Sequence, residues 1–433
     1  MERYNEYKDS GVQWLGEIPS HWDMQRWRFL LTENKVKNTD CKEKVQLQFK
    51  YGDIVRKANQ DEDADVLETI SKYTVVAPDD IMINGLNLNY DFISQRVAQV
   101  KENGVITSAY VSLRPTSLAC SRYYNYFLKS MDFKKMFHGM GTGIRLTLSY
   151  NELKNQFIPF PSIEEQQAIA TYLDTATAKI DAAIAQQQKM IDLLNERKQI
   201  IINNAVTKGL NPNVKMKDSG VDWIGEIPEG WEVKKLKHVC QAFGRIGFRG
   251  YSTTDLVDEG EGCITLSPSN MRDGQMQYEK STYLSWEKYE ESPEIKIFNG
   301  DILFVKTGST YGKSSLVDNL PLEATINPQL LVFKNFTCNN RFLALVLQTT
   351  TIKTQVEVSV IGGTIPTISQ QKILNYVFPY PTEDEQEAIV AYIENKSTPI
   401  NAAIKASERQ ISLLQERKQI IINEVVTGKV KIV

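Results

Sequence analysis

At 433 residues the chain is longer than one hydrophobic core usually organises, so two domains are expected. With 42% hydrophobic and 24% charged residues it has the composition of an ordinary globular protein, without the apolar depletion that marks disorder. A formal net charge of −3 excludes the uniformly basic surface of a non-specific nucleic-acid binder, so any such affinity must come from local basic patches or from partners.

The chain opens on the polar residues Met1 to Asn5, and no run of about eighteen apolar residues follows, so neither membrane insertion nor export is expected. The segment KDSGVQWLGEIPSHW begins at Lys8 and returns from Lys217 as KDSGVDWIGEIPEGW. Asp9, Trp14, Pro19 and Trp22 thus match Asp218, Trp223, Pro228 and Trp231. A second block, IPFPSIEEQQAIATYL from Ile158, returns as FPYPTEDEQEAIVAYI, and its end LLNERKQIIIN from Leu193 returns as LLQERKQIIIN from Leu413. Between these blocks the copies diverge, so the chain reads variable, shared, variable, shared. Shared parts suit a scaffold, and divergent parts suit recognition. The tryptophans, needed identically in both copies, are read as packing residues or partner contacts rather than as base-stacking platforms.

In the first variable segment, the apolar run Asp80-Ile81-Met82-Ile83 predicts a strand, and the loop after it holds Asn84, Asn87, Asn89 and Tyr90. Asparagine can pair bidentately with the major-groove edge of adenine, which makes this loop a candidate DNA contact. Arg145, beside Gly141 and Gly143, is a second candidate; Gly362-Gly363-Thr364 takes its place in the other copy. The acidic residues Asp61, Glu62, Asp63 and Asp65 read as a solvated loop.

After Pro159 and Pro161, Ser162-Ile163-Glu164-Glu165 offers a capping box, as Thr382-Glu383-Asp384-Glu385 does after Pro379 and Pro381. The expected division is recognition domains at 1–161 and 209–381, with helices at 162–208 and 382–428. Leu173, Ile180, Gln187, Leu194 and Ile201 recur at heptad d with Thr177, Ile184, Ile191 and Lys198 at a. The second copy places Ile393, Ile400, Ser407, Leu414 and Ile421 at d and Ser397, Ile404, Ile411 and Lys418 at a. This predicts an antiparallel coiled coil of the two helices, with Gln187 and Ser407 costing stability but fixing register. About forty helical residues would span roughly 60 Å, enough to hold two readers one or a few DNA turns apart, one turn being about 34 to 36 Å. Pro399 should kink or locally break the second helix.

In the second variable segment, Arg245, Arg249 and Tyr251 among glycines suit guanine or phosphate contacts. The run Asp301-Ile302-Leu303-Phe304-Val305 predicts a strand, and the loop after it gathers Lys306, Thr307, Ser309, Tyr311 and Lys313. Glycines there let backbone approach a phosphate while hydroxyl and cationic groups supply hydrogen bonds. Lysines in one loop and asparagines in the other are what two different half-sites would require.

Catalytic chemistry is not legible. Gly308-Ser309-Thr310-Tyr311-Gly312-Lys313-Ser314 looks like a phosphate loop, but only three residues separate its glycines where four are needed. Asn327-Pro328-Gln329-Leu330 lacks the second proline and the aromatic residue of an adenine-methylating loop. His21, His138 and His238 match no metal-ligand spacing, and the five cysteines (41, 120, 240, 263, 338) form no C-x-x-C pair. A reducing cytoplasm is expected.

The duplicated KDSGVxWxGEIPxxW segments, the Pro-x-Pro helix starts and the LLxERKQIIIN helix ends resemble the two repeats of type I restriction-modification DNA-specificity subunits over the whole chain. The resemblance implies an α/β fold of mixed α+β character, with two target-recognition domains joined by two antiparallel helices. It implies a non-catalytic subunit that binds double-stranded DNA, each domain reading half of a split target, and that assembles with two modification (methyltransferase) subunits and further restriction subunits. S-adenosylmethionine, ATP and Mg are then expected on the partners, with no cofactor in this chain. A protein-interaction scaffold with duplicated docking helices is the alternative.

Overall fold

A computed structural model describes residues 2–432 except 51, 59–63, 145, 246, 273 and 361–365, and except the side chain of Phe248. The chain divides into two compact units, Met1–Lys189 with Ser407–Val433, and Met190–Ala406. Each long helix therefore begins in one unit and ends in the other, a partition that differs from the linear order of domains expected above.

In the first unit a four-stranded antiparallel sheet runs in the order Leu31–Glu33, Val111–Pro115, Ile81–Ile83, Val97–Gln99. In the second the order is Gln241–Gly244, Leu330–Lys334, Ile302–Val305, Ser314–Leu316, again all antiparallel. The variable segments thus keep one strand order although little of their sequence agrees. Their central strands are continuously apolar because both faces are covered. Along Ile302–Val305, Ile302 and Phe304 enter the core shared with the helices, while Leu303 and Val305 enter a second core with Ile264, Leu266 and Ile326. Ile81 and Ile83 likewise face the cluster of the helix Ser121–Phe133, and Met82 faces Leu47, Ile54 and Val76. The strand period of two carries this division.

A buried acid at the start of each central strand is paired across the sheet. Asp80 accepts from Nε and Nη2 of Arg114 at 2.8 and 2.7 Å; Asp301 accepts from Lys334 Nζ at 2.7 Å. Burial outweighs Lys334 and pushes the Asp301 carboxyl above its usual range. A fully buried Phe304 contributes about 3–5 kcal/mol relative to alanine by burial and cavity avoidance.

The two long helices span Ile163–Lys208 and Glu383–Val426. Their starts are capped as expected: Ser162 Oγ accepts from Glu165 N at 3.2 Å, and Thr382 and Glu385 bond reciprocally. One turn in, a buried glutamine ties each helix to its domain. Gln166 Oε1 accepts from Cys120 N at 2.8 Å, and Gln386 Oε1 accepts from Asn339 N at 3.0 Å.

The heptad positions form the seam. Leu173, Thr177, Ile180, Ile191, Ile393, Ser397, Ile400 and Ser407 are buried, and Ile184, Leu194, Ile404, Ile411 and Leu414 are half-buried. In the first unit, Asp181 pairs with Lys418 at 2.7 Å, and Leu173 shares a core with Ile422 and Val426. In the second unit, Lys198 Nζ donates to Asn401 at 3.0 Å, and Ile202 and Val206 share a core with Ile389 and Ile393. Within each unit the helices therefore run antiparallel. The second helix runs on through Pro399 without a break; Pro399 is exposed, and Thr398 Oγ1 donates to the Glu394 carbonyl at 2.8 Å.

Both helices end against tryptophan. Gly209, at φ +74°, leaves room for the ring of Trp231, and Gly428, at φ +73°, for Pro19 and the ring of Trp22. Trp22 and Trp231 are buried packing residues, whereas Trp14 is half-buried on Phe127 and Trp223 is exposed.

Candidate nucleic-acid interface

The two loops singled out by sequence occupy the same topological place, between the third and fourth strands of each sheet. In the first unit this loop is organised from inside by Arg96, which is 1% exposed. Its Nη1 donates to the carbonyls of Asn84 and Leu86 at 3.0 and 2.8 Å, and its Nη2 to those of Asp91 and Asn87 at 2.7 and 3.5 Å. Sequence inspection passed over Arg96, because a cation near a loop reads as a surface group. Its position just before an apolar strand was the available signal.

The asparagines divide. Asn84 turns its Oδ1 back to Leu86 N at 3.2 Å, Asn87 is exposed with φ +52°, and Asn89 is half-buried with Oδ1 lacking a partner among the described residues. Tyr90 is exposed. Arg145 lies outside the described residues, but its neighbours are placed: Leu88 N donates to Leu146 O, and Leu148 N to Gly85 O. The two first-unit candidate loops are thereby packed side by side.

In the second unit, Gly308 N donates to Pro366 O, and Thr307 bridges Thr367, which fixes the loop from one side. Gly312, at φ +82°, has no room for a Cβ, which would lie 2.8 Å from Val356 Cγ1. Thr307, Ser309 and Lys313 line an open cleft of about 570 Å³ together with Ser269, Arg272, Gln277, Thr310 and Gln329. Ser269, Arg272 and Gln277 were not singled out from sequence, because their segment reaches the loop only through the tertiary fold. Lys306 is half-buried, and burial alone pushes its ammonium below the usual value; its Nζ has no partner among the described residues. Such an under-compensated cation gains most from an anionic ligand. Tyr311 instead packs half-buried against the core.

The expectation that Arg245 offers its guanidinium to DNA is corrected. It is buried, with Nε donating to Ile326 O at 3.0 Å, Nη2 to Thr325 Oγ1 at 3.0 Å and Nη1 to Arg249 O at 3.2 Å. Tyr251 packs under it at 5.2 Å beside Cys263 and Leu284, and Arg249 pairs with Glu294 at 3.4 Å. Arg245 is thus a structural clamp rather than an open cation. Among the described residues no group of three or more His, Cys, Asp or Glu could hold a metal ion, and no helix is long and apolar enough to cross a membrane.

A family profile described as the type I restriction modification DNA specificity domain matches residues 93–191 and 228–412, well over half of the chain. Among curated relatives, the type I restriction enzyme MjaVIII specificity subunit of Methanocaldococcus jannaschii is 26% identical over 372 residues, covering 84% of this chain and 81% of that protein. The putative MjaX specificity subunit of the same organism is 23% identical and covers 96% of each. A solved structure from work on complex assembly and conformational transition of the type I R-M system shares the fold. It has a TM-score of 0.64 at 15% identity, over 95% of this chain and 99% of that one. Two sheets of one strand order, each capped by one end of both long helices, are thus joined to a match over most of the chain: it belongs to the family of type I restriction-modification DNA-specificity subunits.

Proposed function

We propose that the chain reads a bipartite DNA target, one half through each recognition domain, while the long helices set the spacing and dock two modification subunits. The observation that carries this reading is that two sheets of identical strand order present loops of opposite chemistry at the same place. A frame used twice with different contents is what two unlike half-sites require. Methylation with S-adenosylmethionine and cleavage with ATP and Mg are assigned to partner subunits, as the family resemblance implies. The test is to map methylated sites in a host carrying this chain with its modification partner, before and after replacing residues 24–157 by another variable segment. One half of the site should change completely and the other not at all; an unchanged pattern refutes the assignment.

Docking of two identical subunits is supported by a surface that repeats. In the second unit the first helix leaves Leu193 and Ile200 half-exposed, and in the first unit the second helix leaves Leu413 and Ile420 half-exposed. They belong to the matching LLxERKQIIIN segments and stand seven residues apart, on one helical face. Apolar residues kept in solvent on a helix mark a contact surface. Leu193→Asp with Ile200→Asp should reduce the complex from two modification subunits to one in native mass spectrometry. A complex that keeps both subunits contradicts this assignment.

A further inference from the structure

The first recognition loop ends in a tip whose residues run against ordinary surface composition. Tyr90 is 78%, Phe92 54% and Ile93 94% exposed, and Ile144 on the loop packed beside it is 99% exposed. Loop tips usually carry polar residues, and an apolar group in water gives up the stabilisation of burial.

The tip is also rigidly built. The Asp91 carbonyl accepts from Arg96 Nη2 at 2.7 Å and faces His138 Nε2 at 3.0 Å. The Asp91 carboxylate accepts from Ile93 N at 3.0 Å and Ser94 N at 2.9 Å. Phe92 is stacked on His138 with centroids 4.6 Å apart. Arg96 lies 3.7 Å from the Asp91 carboxylate, so the tip carries no uncompensated anion toward a phosphate backbone. A mobile apolar loop would fold back on the protein; this one is held outward. The corresponding loop of the second unit, at the same topological position, shows hydroxyl and ammonium groups instead.

Resting on the DNA-reading function proposed above, we infer that the Tyr90–Ile93 tip is an apolar wedge. Ile93 enters the stack at one base step of the first half-site, and Tyr90 packs on the opened bases. Wedges of this kind open flexible steps and gain the contacts that a kinked duplex permits. The first domain therefore recognises its half-site partly by how easily one step unstacks, and the polar cleft of the second domain does not.

The test uses the full chain with its modification partner and a duplex carrying the methylated target, with 2-aminopurine placed in turn at each step of the first domain's half-site. The wild-type complex should raise 2-aminopurine fluorescence at one step. Ile93→Ala and Ile93→Ser should abolish that rise and weaken binding roughly tenfold, at an unchanged melting temperature. Ile93→Leu should retain both properties. Sequence-specific binding without a rise, or a rise that survives in Ile93→Ala, overturns the wedge while leaving DNA reading intact. Wild-type binding indifferent to the letters of that half-site overturns the reading itself. If Ile93→Ala loses its modification subunit in the absence of DNA, the tip is a protein contact and the wedge is wrong.

Discussion

The loops at 84–96 and 306–313 leave corresponding places in two four-stranded sheets of one strand order, yet they are held in opposite ways. The first is supported from within by one buried guanidinium that binds four loop carbonyls, which frees its side chains to be apolar and exposed. The second is supported from outside by backbone contacts to Pro366 and Thr367 and by the tight Gly312 turn, which leaves Lys306 half-buried and Lys313 at a polar cleft. One frame thus accepts two chemistries because each loop brings its own means of satisfying its backbone. Recognition can change without changing the sheet.

The largest effect should come from removing the internal support. Arg96→Ala leaves several loop carbonyls without their donor inside the protein, a loss of about 2–4 kcal/mol, visible as a lower melting temperature. Recognition of the first half-site should disappear while the second is read normally, as methylation mapping would record; equal loss at both sites would break the comparison. A smaller effect should follow from Lys306→Ala with Lys313→Ala. The fold should remain, while affinity falls and the slope of log affinity against log salt becomes shallower by about one to two units. The same salt titration on the first domain's Asn87→Ala should leave the slope unchanged, since a base-edge contact releases no counterion. A slope that does not move with the lysines removes the cleft from the interface.

Much of the scaffold was legible along the chain. Both helices start within one residue of the expected positions, and every apolar heptad residue named from sequence is buried or half-buried, because caps and 3.6-residue periodicity are local. The candidate interface residues were only partly legible. Thr307, Ser309 and Lys313 do share one cleft, but Ser269, Arg272 and Gln277 reach it from a hairpin some forty residues away in sequence, a distance no spacing rule bridges. Arg245 and Arg96 show the other limit. Two arginines beside glycine-containing loops looked like surface groups or went unnoticed, and burial made both into clamps.

Sequence by itself therefore determined the duplication, the two long helices, their seam and the location of the divergent loops, since each is written in residues close together or in one copy compared with the other. Only the tertiary structure decided that each core is completed by the far end of the other copy's helix, with Ile422, Val425 and Val426 in the first and Ile202, Ala205 and Val206 in the second. It likewise decided which cations face inward and which loop tip stays in water. The physical reason is that burial and hydrogen-bond partners are set by chain segments distant in sequence, whereas helix periodicity and capping are satisfied within a few residues of themselves.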